Sequence, residues 1–207
     1  MGYYTEQVVP RIIDVACGTK AERPLRRRVC TGLHGEVVEI GFGSGHNVPF
    51  YPAAVSRVAA VEPSDVGWRL ARKRLDRARV PVDRSGLDGQ ALPFPDASFD
   101  CALSTFTLCT IPDVGAALRE IRRVLRPGGV FRFLEHGLAP EADAGVRRWQ
   151  YRLEPLQQRL FAGCHLTRPI VELLTAAGYE VDDLDVFYEE GAPRVLAALS
   201  LGSAVPR

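Results

Sequence analysis

The sequence predicts a doubly wound α/β fold: a mostly parallel, seven-stranded sheet with an antiparallel edge strand and helices on both faces. Three observations predict it. Short apolar runs alternate with longer helical patterns along most of the chain, the order that builds a parallel sheet covered on both sides. The first run, Val37-Val38-Glu39-Ile40, ends in the glycine-rich turn Gly41-Phe42-Gly43-Ser44-Gly45, which can bring bare backbone against a ligand. The last two runs follow one another with no helix between them, which points to an antiparallel edge.

The elements follow in order. An amphipathic helix is expected over 5–17, with apolar Val8, Val9, Ile12, Ile13 and Ala16 and a stop at Gly18; Pro10 weakens its start. Strand one covers 36–41, and a helix is expected to begin near His46-Asn47 with its positive end toward the ligand. Strand two, Val58-Ala59-Ala60-Val61, ends at Glu62. A basic helix over 64–79, a weak strand near 80–85 and a Gly/Pro-rich loop lead to a strand at 99–104. A helix over 113–125 stops at Pro127-Gly128-Gly129, and a strand follows at 130–135. A long helical region spans 142–162. Another helix over 168–177 ends at Gly178, before strands at 180–188 and 194–201. Val146, Trp149, Leu153, Leu156 and Leu160 recur at steps of three and four on the long helix. Such a stripe either packs into the core or covers an apolar substrate, and Pro155 is placed to kink it.

Length and composition bound the function. A chain of 207 residues suits a single domain, 1–207, with 1–30 as an N-terminal helical lid and 140–168 as a helical insertion covering the substrate. A net charge of +1 gives no global drive toward nucleic acid or anionic lipid. The basic clusters at Arg23–Arg28 and Arg69–Arg84 read as solvated faces. Peripheral membrane contact through the first helix stays open, whereas no apolar run approaches the roughly 18 residues of a membrane span. The five cysteines form no metal-ligand or disulfide pattern. Their odd number, without a signal peptide, suggests a reducing cytoplasm.

The glycine spacing narrows the cofactor. A dinucleotide fingerprint would need a small residue where His46 stands, and no phosphate-binding G-x-x-x-x-G-K-[ST] occurs. The pattern Glu39-x-Gly41-x-Gly43-x-Gly45 instead resembles motif I of the class I S-adenosylmethionine (SAM) methyltransferases, whose fold is Rossmann-like. Glu62 lies 21 positions past Gly41, where an acid accepts from ribose hydroxyls, with Pro63 beside it. The segment Asp88-Gly89-Gln90-Ala91-Leu92-Pro93-Phe94-Pro95-Asp96-Ala97-Ser98-Phe99-Asp100 is similar to that of the type 11 group of the same superfamily. The resemblance implies that Asp88 faces the adenine amino group, with Leu87 and Gly89 flanking the ring. Ser104-Thr105-Phe106-Thr107-Leu108-Cys109 falls where the family's backbone, at Thr105 and Phe106, receives the methionine amino group. The stretch Arg119–Gly129 resembles the family's helix and turn and supports the fold alone.

The second half resembles a narrower group. Leu134-Glu135-His136-Gly137, the helix carrying Trp149 and Gly163-Cys164-His165-Leu166-Thr167-Arg168 look like bacterial relatives of the mammalian membrane-associated alkyl thiol methyltransferases. The resemblance implies SAM as cofactor, S-adenosylhomocysteine as product and methyl transfer to a small apolar acceptor, with a thiol in the lead. An O- or N-methyltransferase of a lipid, quinone or secondary metabolite is the alternative, and a non-catalytic SAM-binding protein a further one. A thiol reacts as thiolate, with an ordinary pKa near 8.5, so mild help suffices. His136, at the carboxyl edge of strand five, and His165, between two helices, are the candidate catalytic residues. His46 reads as helix-capping or cofactor-adjacent, His34 as a surface residue and Cys109 as a pocket-wall thiol.

Overall fold

The structure is a computed structural model and describes residues 2–161 and 163–207. Seven strands form one sheet: β1 (Gly35–Ile40), β2 (Val55–Val61), β3 (Val82–Gly86), β4 (Phe99–Thr105), β5 (Leu125–His136), β6 (Tyr179–Tyr188) and β7 (Ala198–Pro206). Their spatial order is β3-β2-β1-β4-β5-β7-β6. The chain thus reverses direction across the sheet between β1 and β4, where open α/β sheets form their ligand crevice. β1 to β5 pair in parallel. β7 runs antiparallel to both β5 and β6, so the antiparallel strand is the penultimate one, with β6 outside it.

The strands are buried because their residues feed two cores. Val38 and Ile40 of β1 join Ala102 of β4 and Phe131 and Phe133 of β5 on one face. Val37, Cys101, Leu103 and Leu134 join the other. This alternation follows from the two-residue period of a strand.

The helices are α1 (Val9–Ala16), α2 (Glu22–Cys30), α3 (Asp65–Leu75), α4 (Val114–Val124), α5 (Ala144–Leu160) and α6 (Ile170–Ala176). α3 begins where Ser64 Oγ accepts from Gly67 N at 3.0 Å and ends on Arg72, Lys73 and Arg74; a cap and a basic last turn are the ordinary helix end groups. Asp113 caps α4 in the same way, accepting from Ala116 N at 2.8 Å. α4 buries Ala117, Leu118, Ile121 and Val124.

The structure corrects one expectation and refines two. No α-helix follows the glycine turn. The chain forms a single 3-10 turn, Val48–Phe50, and enters β2 at Val55; Pro49 and Pro52 deny a helix the backbone donors it needs. In the basic stretch at 23–28, Arg23, Arg27 and Arg28 are exposed as expected, whereas α2 buries Arg26 beside Val29 and Cys30. The stripe on α5 is not core. Trp149 and Leu156 are each more than half exposed, and the buried residue of that helix is Gln150. Its amide donates to Gly137 O at 3.0 Å and accepts from Ala139 N at 2.9 Å, so α5 docks through a polar residue and exposes Trp149, Leu156 and Leu160 of its stripe, with Val146 and Leu153 half-buried.

Candidate cofactor and acceptor site

The glycine turn leaves β1 in the left-handed region: φ is 71° at Gly41, 58° at Gly43 and 77° at Gly45. Each has its own reason to lack a side chain. A Cβ at Gly41 would overlap the Thr107 side chain, and one at Gly45 would press on the Phe42 ring. A Cβ at Gly43 would meet only Gly41 O, at 3.9 Å. The face of Gly43 is therefore an open cradle for a ligand's approach to backbone.

Glu62, at the end of β2, closes the cradle. Its Oε2 accepts from Gly43 N at 2.5 Å and its Oε1 from Ser64 N at 2.6 Å. Burial pushes its carboxyl above the ordinary value, against the pull of those two backbone donors. Pro63 and Leu87 are exposed next to it, Leu87 at 61%. An uncovered leucine at this edge offers an apolar face to a flat ring. Asp88 is exposed, with Oδ1 accepting from Gln90 N at 2.8 Å, and Gly89 packs closely enough that a Cβ would press on Ile40. The segment after it is clamped from α4. Arg123 donates to Leu92 O and Phe94 O and pairs with Asp96 and Glu120, while Glu120 accepts from Leu92 N. The segment 88–100 and α4 are here one hydrogen-bonded unit.

Glu39 lies elsewhere than expected. It is fully interior, and its two oxygens are taken by Asn47 Nδ2, at 2.9 Å, and by the Tyr51 hydroxyl. Burial raises its pKa to about 7. It therefore positions the segment after the glycine turn instead of facing a ligand. Asn47 also donates to Thr105 Oγ1 at 3.0 Å and accepts from Arg26 at 2.9 Å. Arg26 further reaches Cys17 O at 2.8 Å, pairs with buried Glu22 at 3.5 Å and stacks over Phe106. Phe106 has φ of 53°, a sparsely populated conformation for a bulky residue that persists only where surroundings hold it. Arg26 is a site residue that the sequence hides, because only its packing separates it from its exposed neighbours.

α1 covers the turn. Asp14 accepts from Ser44 Oγ at 2.6 Å and meets Arg74 at 3.3 Å and His46 Nε2 at 3.0 Å. Burial and Arg74 lower the His46 pKa to about 4, so its bond to Asp14 is a neutral one at pH 7. With no helix behind it, His46 caps nothing.

Across the sheet's carboxyl edge, Glu135 is buried and accepts from Ser104 Oγ at 2.5 Å and Thr107 N at 2.9 Å, fixing the loop after β4. Arg168 holds the same loop from outside by donating to Leu108 O at 2.5 Å and Ile111 O at 2.6 Å. Gly137 permits this, since a Cβ there would overlap the Arg168 carbonyl. The result brings together residues that are distant in sequence. Cys109 and Cys164 place their sulfurs 3.6 Å apart, and Cys164 Sγ is 3.8 Å from His136 Nδ1. His136 is buried, and its Nε2 has no hydrogen-bond partner among the described residues. The neighbouring sulfur and imidazole hold the Cys164 thiol well below its ordinary value, while the Cys164 sulfur and burial push Cys109 up. No spacing rule connects these three residues, which explains why no cysteine pattern was legible. His165 is differently placed: its Nδ1 bonds Glu154 at 2.7 Å and Gln158 at 2.9 Å, and its backbone N–H donates to Cys109 O.

A glycine turn with an open face at the switch point, a buried acid beside it and an exposed leucine at the same edge make a candidate nucleoside-binding site on this fold. Residues 38–133 match the family model described as "Methyltransferase domain", which makes the chain similar to the class I SAM-dependent methyltransferases. Among curated proteins it is 34% identical over 146 residues to human thiol S-methyltransferase TMT1A, covering 69% of this chain and 59% of that protein. It is 35% identical to human thiol S-methyltransferase TMT1B, covering 67% and 58%. It is 32% identical to phosphatidylethanolamine N-methyltransferase of Cereibacter sphaeroides, covering 60% and 63%. The chain thus spans less than two thirds of these relatives. A SAM-dependent methyltransferase of Thermotoga maritima shares the fold with a TM-score of 0.69 at 22% identity, covering 99% of both chains. The [4+2]-cyclase SpnF does so with a TM-score of 0.68 at 20% identity, covering 88% and 80%. At such identities the likeness concerns the fold alone, which hosts more than one chemistry.

Proposed function

We propose that this chain transfers the methyl group of SAM to a small apolar thiol. The observation that carries the cofactor half is the open face of Gly43 beside Glu62. In this reading Gly41, Gly43 and Gly45 shape the cradle, Glu62 accepts from ribose hydroxyls, and Pro63, Leu87, Asp88 and Gly89 take the adenine. Thr105 and Phe106 present backbone to the amino-acid end, and Glu39 acts one step back by holding Asn47. Bound there, SAM supplies an activated methyl on a sulfonium.

The acceptor half rests on the thiol S-methyltransferase relatives and on the buried end of β5. His136, whose Nε2 has no hydrogen-bond partner among the described residues, is assigned to the acceptor's S–H. His165, held by Glu154 and Gln158, positions the loop that carries Cys164. The segment before α2 and the helix α5 make the cover, as Tyr4 Oη donates to Leu160 O at 3.1 Å and Asp14 ties α1 to the glycine turn. Holding reacting atoms in line and excluding water is what the protein must contribute. No helix among the described residues is long and apolar enough to cross a membrane, and we place the activity in the cytoplasm.

Calorimetric titration with S-adenosylhomocysteine beside NAD tests the cofactor, and a panel of small thiols, phenols and amines tests the acceptor. Micromolar binding of the first ligand alone and turnover of thiols are the expected results. Turnover of amines or phenols without thiols would replace this reading with the lipid or quinone one, toward which the phosphatidylethanolamine N-methyltransferase relative points.

A further inference from the structure

We infer that Cys109, His136 and Cys164 form a binding site for one zinc ion, with a fourth coordination position open. The three residues each offer a ligand atom, and these atoms lie within 4.8 Å of one another. The spacing is that of a metal site and not of a covalent pair. Zn–S bonds of about 2.3 Å and Zn–N bonds of about 2.0–2.1 Å in a tetrahedron place two sulfurs ~3.8 Å apart and sulfur and nitrogen ~3.6 Å apart. The structure has 3.6 Å between the sulfurs and 3.8 Å between Cys164 Sγ and His136 Nδ1. A disulfide would need about 2.05 Å.

The donor set is chemically apt. Two thiolates and an imidazole suit a borderline-soft d10 ion, and three protein ligands leave the position that catalytic zinc sites keep free. The surroundings supply the outer support that such sites need. Glu135 fixes the backbone carrying Cys109 through Thr107 N. Arg168 pins Leu108 O on one side of Cys109 and Ile111 O on the other. His165 N donates to Cys109 O, tying the two cysteine loops together. His136 turns Nδ1 toward the two sulfurs, 3.8 Å from Cys164 Sγ, as a neutral imidazole ligand would. Cys164 is half-buried and gives entry from solvent.

The use of the open position rests on the thiol reading. An acceptor thiol that filled it would form a metal–sulfur bond as its S–H bond broke, releasing the proton to water with no change of oxidation state. His136 then stabilises the acceptor thiolate through the ion instead of receiving its proton.

The test uses the full chain, freshly purified under reducing conditions. Zinc content is measured directly, and the chelator-stripped protein is titrated with Zn2+ and Co2+. One equivalent of either ion is expected, with the cobalt form showing thiolate charge-transfer and tetrahedral absorption. Adding 2-mercaptoethanol should shift that spectrum. Cys109→Ser and Cys164→Ser should lose the cobalt signature while keeping S-adenosylhomocysteine affinity within about twofold, which shows that they fold. The wild-type spectrum decides the matter should a variant fail to fold. No stoichiometric metal, an unchanged cobalt spectrum in both folded variants, or a Cys109–Cys164 disulfide forming in the presence of Zn2+ would overturn the site. Full-rate thiol methylation by the stripped protein would overturn the ion's role while leaving the thiol reading intact. Metal binding without turnover of any thiol would keep the site and remove that reading.

Discussion

Arg26 Nη1 lies 3.3 Å from Thr105 Oγ1. This contact joins a helix that precedes the sheet to the end of its central strand β4. It also makes one cation responsible for Glu22, Asn47, Cys17 and the Phe106 ring together.

Removing that cation should be costly. Arg26→Ala is expected to destabilise the chain by about 3 kcal/mol, the scale for breaking a buried pair, and to strand Glu22, whose pKa burial already raises to about 7. Urea denaturation checks the first and calorimetry with S-adenosylhomocysteine the accompanying loss of affinity. A variant of wild-type stability would place Arg26 among its solvated neighbours.

The three motif glycines should separate into two behaviours. Gly41→Ala forces a Cβ into Thr107 and should lower stability by about 2–3 kcal/mol, from overpacking and left-handed strain. Gly43→Val adds bulk only to the open face, so stability should fall by about 1–2 kcal/mol from strain while S-adenosylhomocysteine binding disappears. Thermal melts beside titrations distinguish them, and equal behaviour would contradict the cradle.

Glu62→Ala should weaken S-adenosylhomocysteine binding by about 1.5–3 kcal/mol, the range for hydrogen bonds to a charged group. An unchanged dissociation constant would mean that the ribose partner lies elsewhere.

Stability should depend on pH through Glu39 and Glu135. Burial lifts both from 4.5 to about 7, so the folded state favours their protonated forms. Their contribution is fully present below pH 4.5 and is lost as pH rises through 7. Glu39→Gln should flatten that decline, as read from denaturation midpoints between pH 4.5 and 8. A slope identical to wild type would show that Glu39 titrates normally.

Asp14→Ala should free α1 from Ser44 and Arg74, leaving His46 Nε2 only its bond to the backbone carbonyl of residue 14. Faster cleavage within residues 4–17 under limited proteolysis is expected, with the sheet intact. Cleavage at the wild-type rate would mean that other contacts hold the cover.

Legibility in the sequence followed the range of each interaction. The glycine turn, Glu62 and the Leu92–Phe94 segment are local patterns whose chemistry sits within a few residues, and the structure brings them to one edge. The pairing of Arg123 with Leu92, Phe94 and Asp96 shows why that segment and α4 both stand out. Elements whose character depends on distant partners were opaque. Arg26 sits among arginines of the same appearance, and the Cys109–Cys164 contact depends on Glu135 and Arg168 fixing one loop. The helix expected after Gly45 was a carry-over of the usual strand–turn–helix order, which Pro49 and Pro52 defeat locally.

The position of β7 bears on how the sheet is assembled in time. β6 has no partner until β7 exists, and β7 must slide between β6 and the already paired β5. During synthesis, β1 to β5 can pair as they emerge, whereas the long β6 waits as an unpaired ribbon with Phe187 and Val186 uncovered. The last nine-residue strand is the keystone of that flank: a chain stalled before Ala198 would carry an open β5 margin and a loose β6, both ready to pair with another molecule.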